Sequence, residues 1–164
     1  MKNRYGLLSV IGKSLDMPVF KIVYRSRALW HADHSENEAD IARIITAARA
    51  YNSAHGITGA LLISSYGYAQ VLEGPAAAVK SLFGRISADP RHDKVELLYS
   101  QHHADRDFGN WAMAVVSPSG NSDTELACTS YRFDVEVPDN GDDIRMMLRQ
   151  ILAGKSVSRN PVLH

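Results

Sequence analysis

Three polar side chains fall at positions where the hydrophobic pattern predicts burial. Asn52 lies eleven residues after Ile41, close to three helical turns, so it shares the apolar face of a predicted helix. Gln70 shares one face of a predicted inner strand with apolar neighbours, and Tyr24 lies at the end of the first predicted strand. A buried amide costs on the order of 1–3 kcal/mol unless it is hydrogen-bonded. The three groups therefore either satisfy one another and the backbone or bind a heterocycle that carries both donors and acceptors.

Two arginines flank the place where these groups would meet. Arg49 follows Ala48 at the edge of the first helical stripe, and Arg85 lies on the second predicted helix. Taken singly, each arginine is typical of a charged side chain on the solvent-exposed face of a helix. Together they could bind a phosphate group through bidentate hydrogen bonds.

The elements that must hold these residues follow in the order β-α-β-β-α-β, with one further strand. This order predicts an α+β fold, a ferredoxin-like sandwich in which two helices cover one face of a mixed sheet. The gap between the two helices is a natural place for a ligand. Strands are predicted at 19–24, 57–64, 68–73, 95–100 and 112–116, and apolar helical stripes run over 41–48 and 79–86.

A C-terminal segment, 118–164, differs from the preceding chain in composition. Alternating residues at 131–137 predict an extended strand, and Ile144, Met147, Leu148, Ile151 and Leu152 share one face of a predicted helix. A two-helix sandwich leaves one sheet face bare, so we expect this amphipathic helix to cap it. Residues 1–16 are predicted to form an extension before Met17.

Composition excludes several classes of function. The 164 residues are enough for one domain and an appendage, and 18 Lys and Arg balance 18 Asp and Glu, which argues against a nucleic-acid partner. The single cysteine, Cys128, excludes an internal disulfide. With neither a targeting signal nor a membrane span in view, we expect a cytoplasmic protein without a membrane partner.

Roughly a hundred consecutive positions, from about Met17 to Val116, resemble the BLUF domain, a blue-light sensor that uses flavin. We therefore expect a sensor domain over 17–117 and a cap or output segment over 118–164. The matching motifs are Tyr24-Arg25-Ser26, Ala47-Ala48-Arg49-Ala50-Tyr51-Asn52, Gly56-Ile57-Thr58-Gly59-Ala60-Leu61-Leu62, Gln70-Val71-Leu72-Glu73-Gly74, Ile86 with Asp89, Arg91-His92, and Arg106-Asp107-Phe108-Gly109-Asn110-Trp111-Ala112-Met113.

The resemblance implies roles for five photoactive residues. Tyr24 would donate an electron and then a proton to the excited flavin, and Gln70 would be the switch between Tyr24 and the flavin. Asn52 would hydrogen-bond the isoalloxazine edge. Either Trp111 or Met113 would face Gln70.

The resemblance also implies a noncovalent flavin, expected to be FAD with FMN or riboflavin as substitutes, and no enzymatic activity. The flavin-binding residues would be Tyr24, Ile44, Ile45, Arg49, Tyr51, Asn52, Gln70, Arg85, Ile86, Asp89 and His92.

Signalling in trans is a further implication of the resemblance. We expect a homo-oligomer that acts on a separate effector protein, such as a cyclic-dinucleotide phosphodiesterase or a transcription regulator. The alternative is a ferredoxin-fold small-molecule-binding domain, or an acylphosphatase-like enzyme, without photochemistry. No metal site is expected, because His31, His34, His102 and His103 do not form a recognisable ligand set.

Overall fold

The computed structural model describes residues 18–65, 67–117, 128–130 and 137–153. Over these ranges the elements follow the predicted α+β, ferredoxin-like order. They are β1 (Val19–Ala28), α1 (His34–His55), β2 (Thr58–Ile63), β3 (Gly67–Gly74), α2 (Ala76–Ser87), β4 (His92–His103), β5 (Ala114–Ser117), β6 (Cys128–Ser130) and α3 (Gly141–Leu152).

The six described strands form one mixed sheet in the order β4-β1-β3-β2-β5-β6. Strands β4, β1, β3 and β2 pair antiparallel, whereas β5 runs parallel to β2 and β6 runs parallel to β5. Strand β3 is buried along its whole length. In its register Gln70 lies directly between Tyr24 of β1 and Leu61 of β2.

Two apolar clusters occupy the two faces of the sheet. On the first face α1 and α2 pack over a cluster that includes Leu61, Leu72 and Met113. On the second face α3 packs over Val23 and Val71. The apolar stripe of α3 therefore covers the second face, as the sequence predicted.

Local hydrogen bonds set the limits of the helices. The predicted first helix begins earlier than its apolar stripe, because the Asp33 side chain caps it by accepting a 2.8 Å bond from Ser35 N. The helix ends at Gly56, whose φ of 67° is the left-handed conformation that glycine adopts freely. Asn140 caps α3 by accepting from Asp142 N and Asp143 N.

The first and fourth strands are longer than predicted, and β5 begins at Ala114, two residues after its predicted start. The first strand continues to Ala28, so Tyr24 lies in its middle; Arg25 and Arg27 extend it by ion-pairing with Glu96 and Asp93 on β4.

Strand β6 was not predicted. The alternating stretch at 131–136 lies outside the described residues, and Val137, which follows it, is not in a strand.

Candidate functional site

A cavity of about 240 Å³ lies between the two helices α1 and α2 and the first face of the sheet. Its walls are largely apolar with a few polar groups, which is typical of cofactor sites. The lining residues are Tyr24, Ile44, Ala47, Ala48, Tyr51, Asn52, Leu61, Tyr68, Gln70, Leu82, Arg85, Ile86, Asp89, Arg91, His92 and Met113.

A chain of three side chains crosses the floor of this cavity. The Tyr24 hydroxyl donates a 2.5 Å hydrogen bond to Gln70 Oε1, and Gln70 Nε2 donates at 3.4 Å to Met113 Sδ. The first bond follows from the register, which places Tyr24 directly opposite Gln70. The second is weak because a thioether is a poor acceptor. The tyrosine therefore sets the orientation of the amide.

Tyr24 is held as a neutral phenol. Its side chain is buried, and this burial raises the pKa of Tyr24 well above its ordinary value, with small contributions from Tyr68 and Asp89. At neutral pH the hydroxyl therefore keeps its proton and can donate it to Gln70.

Asn52 has one satisfied end and one unsatisfied end. Its Nδ2 donates a 2.7 Å bond to Ala112 O. Its Oδ1 is buried without a hydrogen-bond partner, the only buried side-chain atom of this kind among the described residues. An unsatisfied buried acceptor costs about 1–3 kcal/mol, so the site calls for an N–H donor from a ligand. The imide N–H of a flavin pyrimidine edge is such a donor, and the residues present fit that group.

Charged and aromatic side chains line the rest of the cavity on the α2 side. The Arg85 guanidinium lies 4.8 Å from the centre of the Tyr51 ring, a cation–π contact. Asp89 accepts a bidentate pair of hydrogen bonds from Arg91, which holds the pKa of Asp89 below its ordinary value.

His92 joins β4 to α2 and β1. Its Nε2 donates a 2.6 Å bond to Ile86 O, and its Nδ1 lies 2.8 Å from Ser26 Oγ. The imidazole is thereby held at the cavity wall with its ring 6.4 Å from that of Tyr24.

Two of the predicted flavin-binding residues lie outside the cavity lining. Ile45 packs against the apolar core instead. Arg49 Nε donates at 3.1 Å to Met113 O, and the clamp of Arg49 with Arg85 on a phosphate stays a prediction. Arg49 stands one helical turn before Asn52 and, like it, reaches the backbone next to β5.

The structure distinguishes the two residues expected to face Gln70. Met113 is buried on the first face and contacts Gln70. Trp111 is half-buried and packs against the cluster on the opposite face.

Several lining residues were not predicted as site residues. Tyr68 lies two positions before Gln70 on the same strand face, so strand alternation alone would have identified it. Burial raises the pKa of Tyr68 to about 12. Arg91 directly precedes His92. The others are Ala47, Ala48, Leu61 and Leu82.

Two negative findings apply to the described part of the chain. No helix there is long and apolar enough to cross a bilayer. No group of three or more His, Cys, Asp or Glu side chains in those ranges is placed to hold a metal ion.

Known proteins share this sequence and fold. Over 80 residues, 49% of this chain and 8% of the relative, the chain is 38% identical to the photoactivated adenylate cyclase subunit alpha of Euglena gracilis. The chain thus matches only a small part of that relative.

Two solved structures resemble this protein in both sequence and fold. BlrB, a BLUF protein in its dark state, superposes with a TM-score of 0.56 at 39% identity, covering 61% of this chain and 73% of BlrB. BlsA in its ground state superposes with a TM-score of 0.63 at 25% identity, covering 88% of this chain and 94% of BlsA.

The family model for sensors of blue light using FAD matches residues 19–114. This match takes in all the residues that line the cavity, from Tyr24 to Met113. Because it covers more than half of the chain, the protein belongs to the BLUF family of blue-light sensors that use FAD.

Proposed function

We propose that Tyr24, Gln70 and Met113 form the light-responsive hydrogen-bond chain of this sensor. The observation that carries the proposal is the 2.5 Å bond from Tyr24 to Gln70 inside a cavity that also contains the unsatisfied Asn52 acceptor. A bound flavin supplies blue-light absorption and, once excited, acceptance of one electron from an oxidisable neighbour. Asn52, Tyr51 and Ile86 would hold it, with Arg85 and His92 beside them.

Tyr24 is suited to give up an electron and a proton together. The oxidised phenol is a strong acid, and its proton has an acceptor already in place at Gln70 Oε1. Burial excludes water, so the proton follows the hydrogen-bond chain. Both ends of the Gln70 amide would be affected by this transfer.

Gln70 is suited to switch because its two ends have opposite hydrogen-bonding roles. Its oxygen accepts from Tyr24 and its nitrogen donates to Met113. Rotation would turn the N–H end of Gln70 towards Tyr24 and its oxygen towards Met113, whose thioether has no hydrogen to donate. The hydrogen bond given up on the Met113 side is weak, because it ends on sulfur.

Output would begin at Met113, which directly precedes β5. The Met113 carbonyl also accepts from Arg49, so a shift of Met113 would reach both β5 and α1. We infer that the sensor covers 17–117 and that the segment 118–164, which includes α3, transmits the signal. That the protein acts on a separate effector protein, and that it forms a homo-oligomer, both stay predictions. The name of the Euglena relative, which joins photoactivation to a cyclase, supports an effector that acts on nucleotides.

The experiment is illumination of the protein loaded with FAD. Blue light should shift the flavin absorbance slightly to the red, with recovery in darkness. Tyr24→Phe and Gln70→Leu should retain flavin and lose the shift, while Tyr99→Phe, outside the cavity, should keep it. A normal shift in either cavity variant would contradict the assigned roles.

A further inference from the structure

Two aromatic side chains in contact, Tyr68 and Trp30, extend from the cavity to the protein surface. Trp30 lies in the loop between β1 and α1, and its ring centre is 5.5 Å from that of Tyr68. The indole Nε1 donates a 3.1 Å bond to Ser65 O, so the ring is held in place against Tyr68. Trp30 is nevertheless 37% exposed.

Tyr68 stands between this exposed ring and the cavity. It is buried and lines the cavity in which the flavin would bind. It shares one face of β3 with Gln70. The two rings Tyr68 and Trp30 therefore make a continuous aromatic path from the cavity to solvent, separate from the chain of Tyr24, Gln70 and Met113.

Both residues can be oxidised by loss of one electron. Their order along the path would let an electron pass from solvent to Trp30, then to Tyr68, and then into the cavity. Tyr68 is next to the cavity but poorly exposed, so a solution reductant reaches it slowly. Trp30 is accessible, and an indole can lose an electron without first losing its N–H proton.

We propose that Tyr68 and Trp30 form a second electron route, through which a one-electron reductant in solution reduces the light-excited flavin. The inference rests on flavin binding in the cavity. Tyr68 gives one electron to the flavin and keeps its phenolic proton, Trp30 returns one electron to Tyr68, and the reductant returns one electron to Trp30. One electron thus passes from the reductant to the flavin with one proton from solvent, and neither residue is changed at the end.

The experiment uses the FAD-loaded protein without oxygen, with ascorbate as the reductant. Under steady blue light the flavin absorbance band should bleach, and Trp30→Phe or Tyr68→Phe should slow this bleaching several-fold. Trp111→Phe is the matched control, since the chain has two tryptophans and Trp111 packs on the opposite sheet face. Equal bleaching rates in wild type and Trp30→Phe would overturn the proposal.

A second readout follows the protein rather than the flavin. In air and without ascorbate, Trp30 left oxidised should gain oxygen from dioxygen, which peptide mass spectrometry detects. Tyr68→Phe leaves Trp30 equally exposed but removes the relay, so Trp30 oxidation should fall several-fold. Unchanged Trp30 oxidation in Tyr68→Phe would show bystander damage and overturn the proposal.

The two proposals fail in different ways. If the wild type showed no reversible red shift, the proposed function of Tyr24 and Gln70 would be wrong. The electron route instead predicts that Trp30→Phe keeps a normal red shift and loses fast bleaching. A normal shift with unchanged bleaching in Trp30→Phe would reject the electron route alone.

Discussion

Asp107 and Arg145 are joined by a 2.8 Å ion pair that ties the loop before β5 to helix α3 on the second face of the sheet. The same Asp107 carboxylate accepts a 2.8 Å bond from the buried Lys21. Glu73 lies 3.5 Å from Lys21 and accepts from the Asp107 and Phe108 backbone N–H groups. The cap is therefore held by charge as well as by apolar packing.

Breaking this pair should destabilise the protein strongly. Asp107→Asn keeps the volume but leaves the Lys21 ammonium with only the more distant Glu73, so we expect the free energy of unfolding to fall by about 3 kcal/mol. Arg149→Gln is the control, because Arg149 is about half exposed and its 3.3 Å pair with Asp107 should contribute about 0–1 kcal/mol. Urea denaturation measures both; equal effects of the two variants would contradict this account.

The same carboxylate should make stability depend on pH. Burial would raise its pKa, but hydrogen bonds from Lys21 and Arg145 outweigh burial and lower the pKa of Asp107 below 3.8. Its contribution is therefore complete above pH 3.8 and is lost as the pH falls through the lower value of the folded state. In urea melts at a series of acidic pH values, the stability difference between wild type and Asp107→Asn should shrink on acidification. A difference that grew instead would exclude this linkage.

Asn52 should contribute to flavin affinity through its unsatisfied oxygen. Asn52→Ala removes the acceptor, and we expect binding to weaken by about 1–3 kcal/mol, which is roughly fivefold to 150-fold in Kd. The Kd is measured by titrating the apoprotein with FAD and monitoring the quenching of flavin fluorescence. Asn37→Ala is the control and should bind normally, because the Asn37 side chain bonds the His31 backbone and does not line the cavity. An unchanged Kd in Asn52→Ala would mean that Asn52 Oδ1 does not meet the flavin.

Met113 should affect the rate at which the dark state recovers after illumination. Met113→Leu conserves volume but removes the weak acceptor for Gln70 Nε2, so the dark arrangement loses about 0.5 kcal/mol, the low end for a hydrogen bond. Recovery of the red-shifted absorbance after illumination should then slow by roughly twofold if the bond to sulfur re-forms in the transition state. Trp111→Phe, on the other face, should recover at the wild-type rate. The opposite result, with Trp111→Phe slow and Met113→Leu normal, would reverse the assignment of the two residues.

Local patterns were enough to predict much of the site. The period of α1 identified Asn52 as a residue of the apolar face, and the alternation of β3 did the same for Gln70. The position of Met113 was not predictable, because residues 111–113 precede β5 and obey no alternation. The hydrogen bond from Arg49 to Met113 O was not predictable either, because the two residues lie sixty-four positions apart in the sequence.

The buried ion pairs were also beyond local patterns. Lys21 is a charged residue in a strand, typically a sign of a solvent-facing position, and yet its side chain is almost wholly buried. Its partners, Glu73 and Asp107, come from distant parts of the chain. Only the assembled sheet shows that their charges compensate.

Strand β3 contributes side chains to both apolar clusters, one on each face of the sheet. Gln70 faces the cavity, and Val71, the next residue, is fully buried in the cluster under α3. A change in the Gln70 amide thus occurs one peptide unit away from the surface on which the cap rests. The cavity and the surface that carries the cap are therefore separated by the thickness of a single strand, and any displacement of β3 moves both.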